Sequence, residues 1–145
     1  MRLILFLIYV VRELWIQGFK RSFHRVQWAM SDPMVIKDYY ICFDKKMKAK
    51  KMPMDRRFIP MNQIIMGHPT YPSKVHKKRV EQIKRLKDQV GISQEEVNSY
   101  MPSDKPIQAV KEVDGYFLIS GNGRVTALKE VGFTGKVELE LFIND

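Results

Sequence analysis

The chain has 145 residues, of which 45% are hydrophobic, 28% are charged and one, Cys42, is a cysteine. This length allows one core plus an extension, the composition excludes wholesale disorder, and one cysteine excludes a disulfide framework and a cysteine-based zinc site. The net charge of +9 is concentrated in residues 1–90, which hold 20 Lys and Arg against 7 Asp and Glu. That distribution favours an anionic partner such as a membrane surface, nucleic acid or nucleotide, with a merely solvated basic face as the alternative.

Residues 1–32 are predicted to form an amphipathic helix with a cationic face. Nine apolar residues at positions 3–11 are followed by apolar side chains at helical spacing, with Arg and Lys between them. The run is shorter than the roughly 20 residues that span a bilayer, so we expect association with an anionic membrane surface. Three alternatives stay open: a signal peptide, a transmembrane helix that buries Arg12 and Glu13, and packing against the domain or a second copy.

Residues 33–57 are predicted to form a strand and a basic linker. Positions 34–43 are rich in β-branched and aromatic side chains, which favours a strand. Positions 44–57 are strongly basic and are interpreted as an exposed stretch that binds a polyanion, with a simple solvated loop as the alternative. Cys42 is expected to be a small buried side chain in a reducing, cytoplasmic protein.

Residues 58–145 are predicted to form a small α+β domain. A short strand or turn entry at 58–64 is followed by a loop, and an apolar stripe at spacings of three and four predicts a helix from Pro72 to Gly91. Ser93 and Glu96 have the spacing of a capping box, which predicts a second helix that ends before Pro102.

A hairpin, a helix and a last strand are predicted to complete this domain. The strand-like runs 106–113 and 116–119 are joined at Asp114-Gly115, a dipeptide that favours a tight turn. The chain then turns into a helix that ends at Gly132, a C-cap residue. Positions 137–142 alternate apolar and acidic side chains, which is typical of a half-buried strand.

The turn before that helix is the predicted anion site. Gly121 and Gly123 flank Asn122, so the backbone can adopt positive φ and approach a ligand closely. Unpaired amides, the positive end of the helix dipole and the guanidinium of Arg124 would converge on one anion, and Thr126 would add a hydroxyl. A glycine turn of purely geometric origin is the alternative.

The order of elements over residues 58–142 resembles the ParB/sulfiredoxin superfamily. The motifs that carry the resemblance are Pro106-Ile107, residues 116–124 (YFLISGNGR), Ala127-Leu128, the entry strand at 58–64, and Pro72-Ser73-Lys74-Val75, which is similar to a sulfiredoxin helix start. The resemblance implies a small mixed sheet with packed helices that binds a nucleoside triphosphate, ATP or CTP. It implies Mg²⁺ as well if the protein is an enzyme of NTP hydrolysis or phosphoryl transfer.

The candidate cofactor-binding residues follow from the turn and the resemblance together. They are Lys74, Ser120, Gly121, Asn122, Gly123, Arg124 and Thr126. Lys74 would supply a second cationic contact, with an ordinary solvated lysine as the alternative. No resident metal site is predicted, because the three histidines are far apart in sequence.

The chain departs from the family pattern at functionally important points. Asn122 stands where sulfiredoxins have their catalytic cysteine, so a thiol mechanism is not expected. Ser120 replaces the acidic residue that amino-acid kinases of the superfamily usually carry, which leaves Glu112, Asp114 or an acidic side chain elsewhere as the candidate base. The chain stops at Asp145 without the helix-turn-helix of ParB proteins, so sequence-specific DNA reading by that route is not expected.

Two functional hypotheses result. The first is a nucleotide-binding protein of the ParB/sulfiredoxin type, cytoplasmic and peripheral to the inner membrane, with enzymatic turnover left open. The alternative is a non-catalytic adaptor that binds membrane lipid or nucleic acid non-specifically through its basic N-terminal half. Either function is compatible with an oligomeric protein.

Overall fold

The computed structural model of the chain describes residues 2–17, 19–101, 103 and 105–144; at residues 2, 9, 13–17 and 19–23 it describes the backbone alone. The helices are α1 (Arg2–Gln17), α2 (Phe19–Met30), α3 (Pro33–Ala49), α4 (Lys74–Gln82), α5 (Gln94–Tyr100) and α6 (Asn122–Glu130). The strands are β1 (Met54–Pro60), β2 (Ile64–Ile65), β3 (Gly91–Ile92), β4 (Gln108–Glu112), β5 (Gly115–Ser120) and β6 (Lys136–Phe142). The predicted α+β class is confirmed.

The six strands form one mixed sheet in the order β1-β6-β4-β5-β2, with β3 also paired to β6. Strands β4 and β5 are the predicted antiparallel hairpin, with Glu112 opposite Gly115 at its turn. Strand β6 runs antiparallel to β1 and parallel to β4 and β3. At the other end of the hairpin, Ser120 lies opposite Gln108, and the chain leaves the sheet there to enter α6.

Two hydrophobic clusters cover the two faces of the sheet. The larger one joins α4, α5 and α6 to the face of β6 that carries Val137, Leu139 and Leu141, all buried. Glu138 and Glu140 lie between them on the less buried face, so the predicted alternation of β6 is confirmed. The smaller cluster joins α3 to the opposite face of the hairpin.

The predicted strand at residues 34–43 is wrong, because this segment lies inside α3. The helix begins at a strong local signal: Pro33 occupies its first turn, and the Asp32 carboxylate accepts a hydrogen bond from the Met34 amide at 2.9 Å. Its buried residues, Val35, Cys42 and Ala49, recur every seven positions and so share one face, from which Cys42 and Ala49 pack against the sheet. Packing of that face outweighs the β-propensity of the aromatic and branched residues.

The predicted basic linker at 44–57 is also wrong in part. Helix α3 continues to Ala49 and β1 begins at Met54, so a short connection separates them. Residues 58–64, predicted as a short strand or a turn entry, contain the end of β1 at Pro60, a 3₁₀ turn at Met61–Gln63 and the start of β2.

The remaining helix predictions are confirmed with different bounds. Residues 1–32 contain two helices rather than one, and the helix predicted from Pro72 to Gly91 ends at Gln82, before a 3₁₀ turn at Lys84–Leu86. Helix α5 begins at the predicted capping residue, because Ser93 Oγ accepts from the Glu96 amide at 3.1 Å. The predicted stop at Pro102 lies outside the described residues. Across the described ranges, no helix combines the length and the apolar character that crossing a bilayer requires.

Candidate anion-binding site

The turn from β5 into α6 depends on Gly121. This residue is the N-cap of α6 in the left-handed conformation, with φ of 87°, and it supplies no side-chain cap. A Cβ at this position would lie 2.9 Å from Ile107 Cγ1, so the turn excludes any larger residue on steric grounds as well. The predicted positive φ is therefore confirmed at Gly121, but it is wrong for Gly123, which lies inside α6.

The first amides of α6 point beyond the helix start. Val125 donates to the Gly121 carbonyl at 3.1 Å, which is the first backbone hydrogen bond of the helix. The Asn122 and Gly123 amides have no acceptor among the described residues. Donors of this kind, at the positive end of the helix dipole, favour an anion.

The Asn122 side chain fixes the neighbouring loop instead of facing a ligand. Its Oδ1 accepts from the Gly67 amide at 2.7 Å and from the His68 amide at 3.3 Å, and the residue is 2% exposed. A Cβ on Gly67 would lie 2.2 Å from the Leu118 carbonyl oxygen and 3.2 Å from Cys42 Sγ, so the loop, strand β5 and α3 are in close contact here.

Arg124 is also directed into the protein. It is 4% exposed, and its Nη1 donates to Asn98 Oδ1 at 2.8 Å. Asn98 Oδ1 accepts a second hydrogen bond from Gln94 Nε2 at 2.6 Å, and Gln94 Oε1 accepts from the Ile107 amide at 3.1 Å. Through these hydrogen bonds Arg124 connects α6 to α5 and to the start of β4. Its role is therefore structural.

Arg79 on α4 is the cation that reaches the turn. A Cβ on Gly123 would lie 3.1 Å from Arg79 Nη1, so the guanidinium is packed against the first turn of α6. Arg79 is partly buried, and burial lowers the pKa of its guanidinium. No carboxylate pairs with it among the described residues. Beside it, Thr70 Oγ1 donates to Thr126 Oγ1 at 3.0 Å, and Thr126 Oγ1 donates to the Asn122 carbonyl at 2.7 Å.

Lys74 lies toward the other end of α6. Helix α4 runs antiparallel to α6, because His76 Nε2 lies 3.2 Å from the Glu130 carboxylate while Arg79 contacts Gly123. Lys74 is exposed at the end of α4 near Glu130. The structure therefore brings Arg79, and not Lys74, to the predicted turn.

An aromatic cluster joins α2 and α3 to the loop that Asn122 holds. The rings of Tyr39 and His68 are stacked with centroids 4.0 Å apart, and Arg25 lies 5.7 Å from the Tyr39 centroid. The rings of Trp28 and Tyr71 are 5.5 Å apart. Burial in this cluster lowers the pKa of His68 to about 4, so its imidazole is neutral at physiological pH.

Cys42 is buried, as predicted, and it lies beside Asn122. It is 5% exposed, and its Sγ donates weakly to the carbonyls of Leu118 at 3.5 Å and Ile119 at 3.6 Å. Burial raises the pKa of the Cys42 thiol to about 11, so little thiolate is present at neutral pH. Among the described residues, no group of three or more His, Cys, Asp or Glu side chains is arranged to hold a metal ion.

Sequence reasoning missed Arg79 and Thr70. Arg79 lies three residues after His76 and four before Ile83, both of which are buried. This helical spacing places Arg79 on the face of α4 that packs against α6, and that signal was available in the sequence. Nothing in the sequence alone marks Thr70, whose partner Thr126 is 56 residues away.

Comparison with known proteins does not assign this site to a family or a function. No protein-family model matches the chain, and no curated protein matches it either.

Proposed function

We propose that this protein binds the phosphate groups of a nucleotide at the N-terminus of α6. The observation that carries the proposal is the Arg79 guanidinium, which is partly buried against Gly123 and has no carboxylate partner among the described residues. A cation beside the positive end of a helix dipole is unfavourable unless an anion completes the site.

The surrounding groups are suited to phosphate. The Asn122 and Gly123 amides supply donors, Gly123 allows the Arg79 guanidinium to lie against the first turn of α6, and the hydrogen-bonded Thr70 and Thr126 hydroxyls lie beside that turn. The resemblance of residues 58–142 to the ParB/sulfiredoxin superfamily supports a nucleotide over free phosphate. In this arrangement Arg79 neutralises the phosphate, whereas Asn122 and Arg124 hold the turn in position.

The proposal covers nucleotide binding and does not extend to catalysis. Glu112 forms an ion pair with Lys45, and Asp114 lies in the hairpin turn, at the opposite end of β5 from Ser120. Neither candidate base therefore accompanies the proposed phosphate site. NTP hydrolysis or phosphoryl transfer with Mg²⁺ stays a prediction that the same assay can test.

Calorimetric titration with ATP, CTP and inorganic phosphate, each with and without Mg²⁺, tests the proposal. We expect saturable nucleotide binding that Arg79→Met weakens about 30-fold, the equivalent of about 2 kcal/mol for a lost charge-assisted hydrogen bond. Lys78→Met is the matched control, because it removes one exposed positive charge from the same helix. Absence of saturable binding to the wild type, or equal losses in both variants, would refute the phosphate site.

A second candidate function, a non-catalytic adaptor at an anionic membrane surface, is favoured by the exposed face of α1. Six of its apolar side chains are between 41% and 64% exposed: Leu3, Ile4, Leu5, Leu7, Ile8 and Val11. Such a contiguous apolar row on a basic protein is typical of an interfacial helix. Co-sedimentation of the full chain with anionic but not with zwitterionic vesicles is the expected result, and no sedimentation with either would exclude this function.

A further inference from the structure

A groove between α1 and α3 is separate from the phosphate site. It has a volume of about 340 Å³, within the usual range of small-ligand sites. Its apolar lining comes from Leu5 on α1 and from Tyr40, Phe43 and Met47 on α3. Its charged lining is Asp44, Lys48 and Lys51, with the two lysines toward the C-terminal end of α3.

The groove is held in place by ring packing between the two helices. Phe6 contacts Tyr40 and Phe43 edge to face, with centroids 5.8 Å apart in both pairs. These contacts fix α1 against α3 next to the groove, while Leu5 and Met47 in its lining stay 41% and 37% exposed. The groove therefore presents apolar surface to solvent between two packed helices, and covering that surface with an apolar group would be favourable.

The charges at one end define the polar part of the occupant. Lys48 pairs with Asp44 at 2.9 Å, but the Lys48 side chain is 56% exposed, so this surface ion pair contributes little. Lys51 is exposed just beyond the end of α3, next to Lys50. An apolar trough that ends at exposed lysines complements a molecule with an apolar tail and an anionic head.

We infer that this groove holds one acyl chain of an anionic lipid, with the tail along Leu5, Phe43 and Met47 and the head group at Lys48 and Lys51. Leu5 belongs both to the groove and to the exposed apolar row of α1, so a lipid in the groove would be continuous with a bilayer that α1 contacts. The inference rests on the second candidate function and is independent of Arg79.

The first test measures palmitate binding to the full-length protein in solution, by displacement of a fluorescent fatty acid. Co-sedimentation of the same protein with anionic vesicles is measured in parallel. Met47→Trp fills the groove without changing charge. We expect it to weaken palmitate binding at least about tenfold while vesicle binding stays within about twofold. Met34→Trp is the matched control, because Met34 is 60% exposed at the other end of α3, and both measurements should stay at the wild-type level.

The second test separates the head-group contact from general charge. The double variant Lys48→Glu, Lys51→Glu should weaken palmitate binding about tenfold or more and leave hexadecanol binding unchanged, because only palmitate carries a charge. The double variant Lys84→Glu, Lys87→Glu makes the same change in net charge near α4 and should retain palmitate binding. No palmitate binding by the wild type, or equal losses in Met47→Trp and Met34→Trp, would overturn the inference. Palmitate binding without vesicle binding would support the groove and remove the membrane adaptor.

Discussion

The α6 turn and the α1–α3 helices invert the usual relation between residue type and exposure. At the turn, Asn122 and Arg124 are 2% and 4% exposed, although their side chains are polar. On α1, Leu3 and Val11 are 64% and 63% exposed, although theirs are apolar. The difference teaches that exposure follows from available partners: Asn98 and two loop amides meet the polar groups inside, whereas within the described part of the chain the apolar row of α1 stays largely uncovered.

The largest expected effect on the free energy of unfolding comes from the steric demands of the turn at Gly121. Gly121→Ala should lower the free energy of unfolding by about 3 kcal/mol, because a left-handed backbone costs an alanine about 1 kcal/mol and overpacking against Ile107 adds about 2 kcal/mol. Gly132→Ala is the control, since φ is 81° there but a Cβ would lie 3.8 Å from its nearest neighbour, Lys87 Cε. A loss of about 1 kcal/mol is expected for it in urea unfolding. Equal losses would show that contact with Ile107 is unimportant.

Replacement of Arg124 should mainly lower stability, whereas replacement of Arg79 should mainly weaken nucleotide binding. Arg124→Met should lower the free energy of unfolding by about 2 kcal/mol, because it removes a charged hydrogen bond between the buried Arg124 side chain and the half-buried Asn98. Arg79→Met should stay within about 0.5 kcal/mol of the wild type, because it removes a partly exposed charge with no carboxylate partner among the described residues. Urea unfolding of both variants beside the nucleotide titration checks this. If Arg79→Met is the more destabilised protein, Arg79 is a structural residue and the phosphate proposal loses its main support.

The aromatic contact between the two regions should make stability depend on pH. The pKa of His68 is lowered from 6.5 in the unfolded chain to about 4 in the folded protein, so between these values the unfolded chain binds the additional proton. The free energy of unfolding should therefore fall as the pH decreases from about 6.5 toward 4, by about 1 kcal/mol at pH 5 after allowance for solvent screening.

His68→Gln isolates this dependence. Its unfolding free energy, measured by urea titration from pH 7 to pH 4.5, should show a shallower decline than that of the wild type. An unchanged pH profile would mean that other groups account for the dependence.

The apolar row of α1 should have the smallest effect on stability. The double variant Ile4→Gln, Ile8→Gln should change the free energy of unfolding by less than about 0.5 kcal/mol, because both side chains are already 60% and 57% exposed. Vesicle co-sedimentation of the same variant should nevertheless fall. Val113→Gln is the control, because Val113 is fully exposed at the hairpin turn, and it should alter neither measurement. Retained sedimentation of the α1 variant would assign membrane affinity to the basic side chains alone.

Elements with strong local signals were predicted well. The β4–β5 hairpin, the α5 capping box, the glycine before α6 and the alternation of β6 were all visible in the sequence. Each depends on residues within a few positions of one another, through turn geometry, caps or periodicity. Helix α3 had such signals too, in Asp32 and Pro33, but the β-propensity of the segment that follows favoured the wrong element.

The turn on which the proposed site is built was predicted from the sequence, but the side chains around it were not. The sequence by itself determined that the chain turns sharply at Gly121 into a helix, because left-handed backbone and helix capping are local properties of glycine. Only the tertiary structure decided that Arg124 turns inward to Asn98 and that Arg79 lies against Gly123. Those contacts join residues 26 and 44 positions apart. They depend on how α4 and α5 pack against α6: local spacing marks the buried face of α4, but it does not say which helix covers that face.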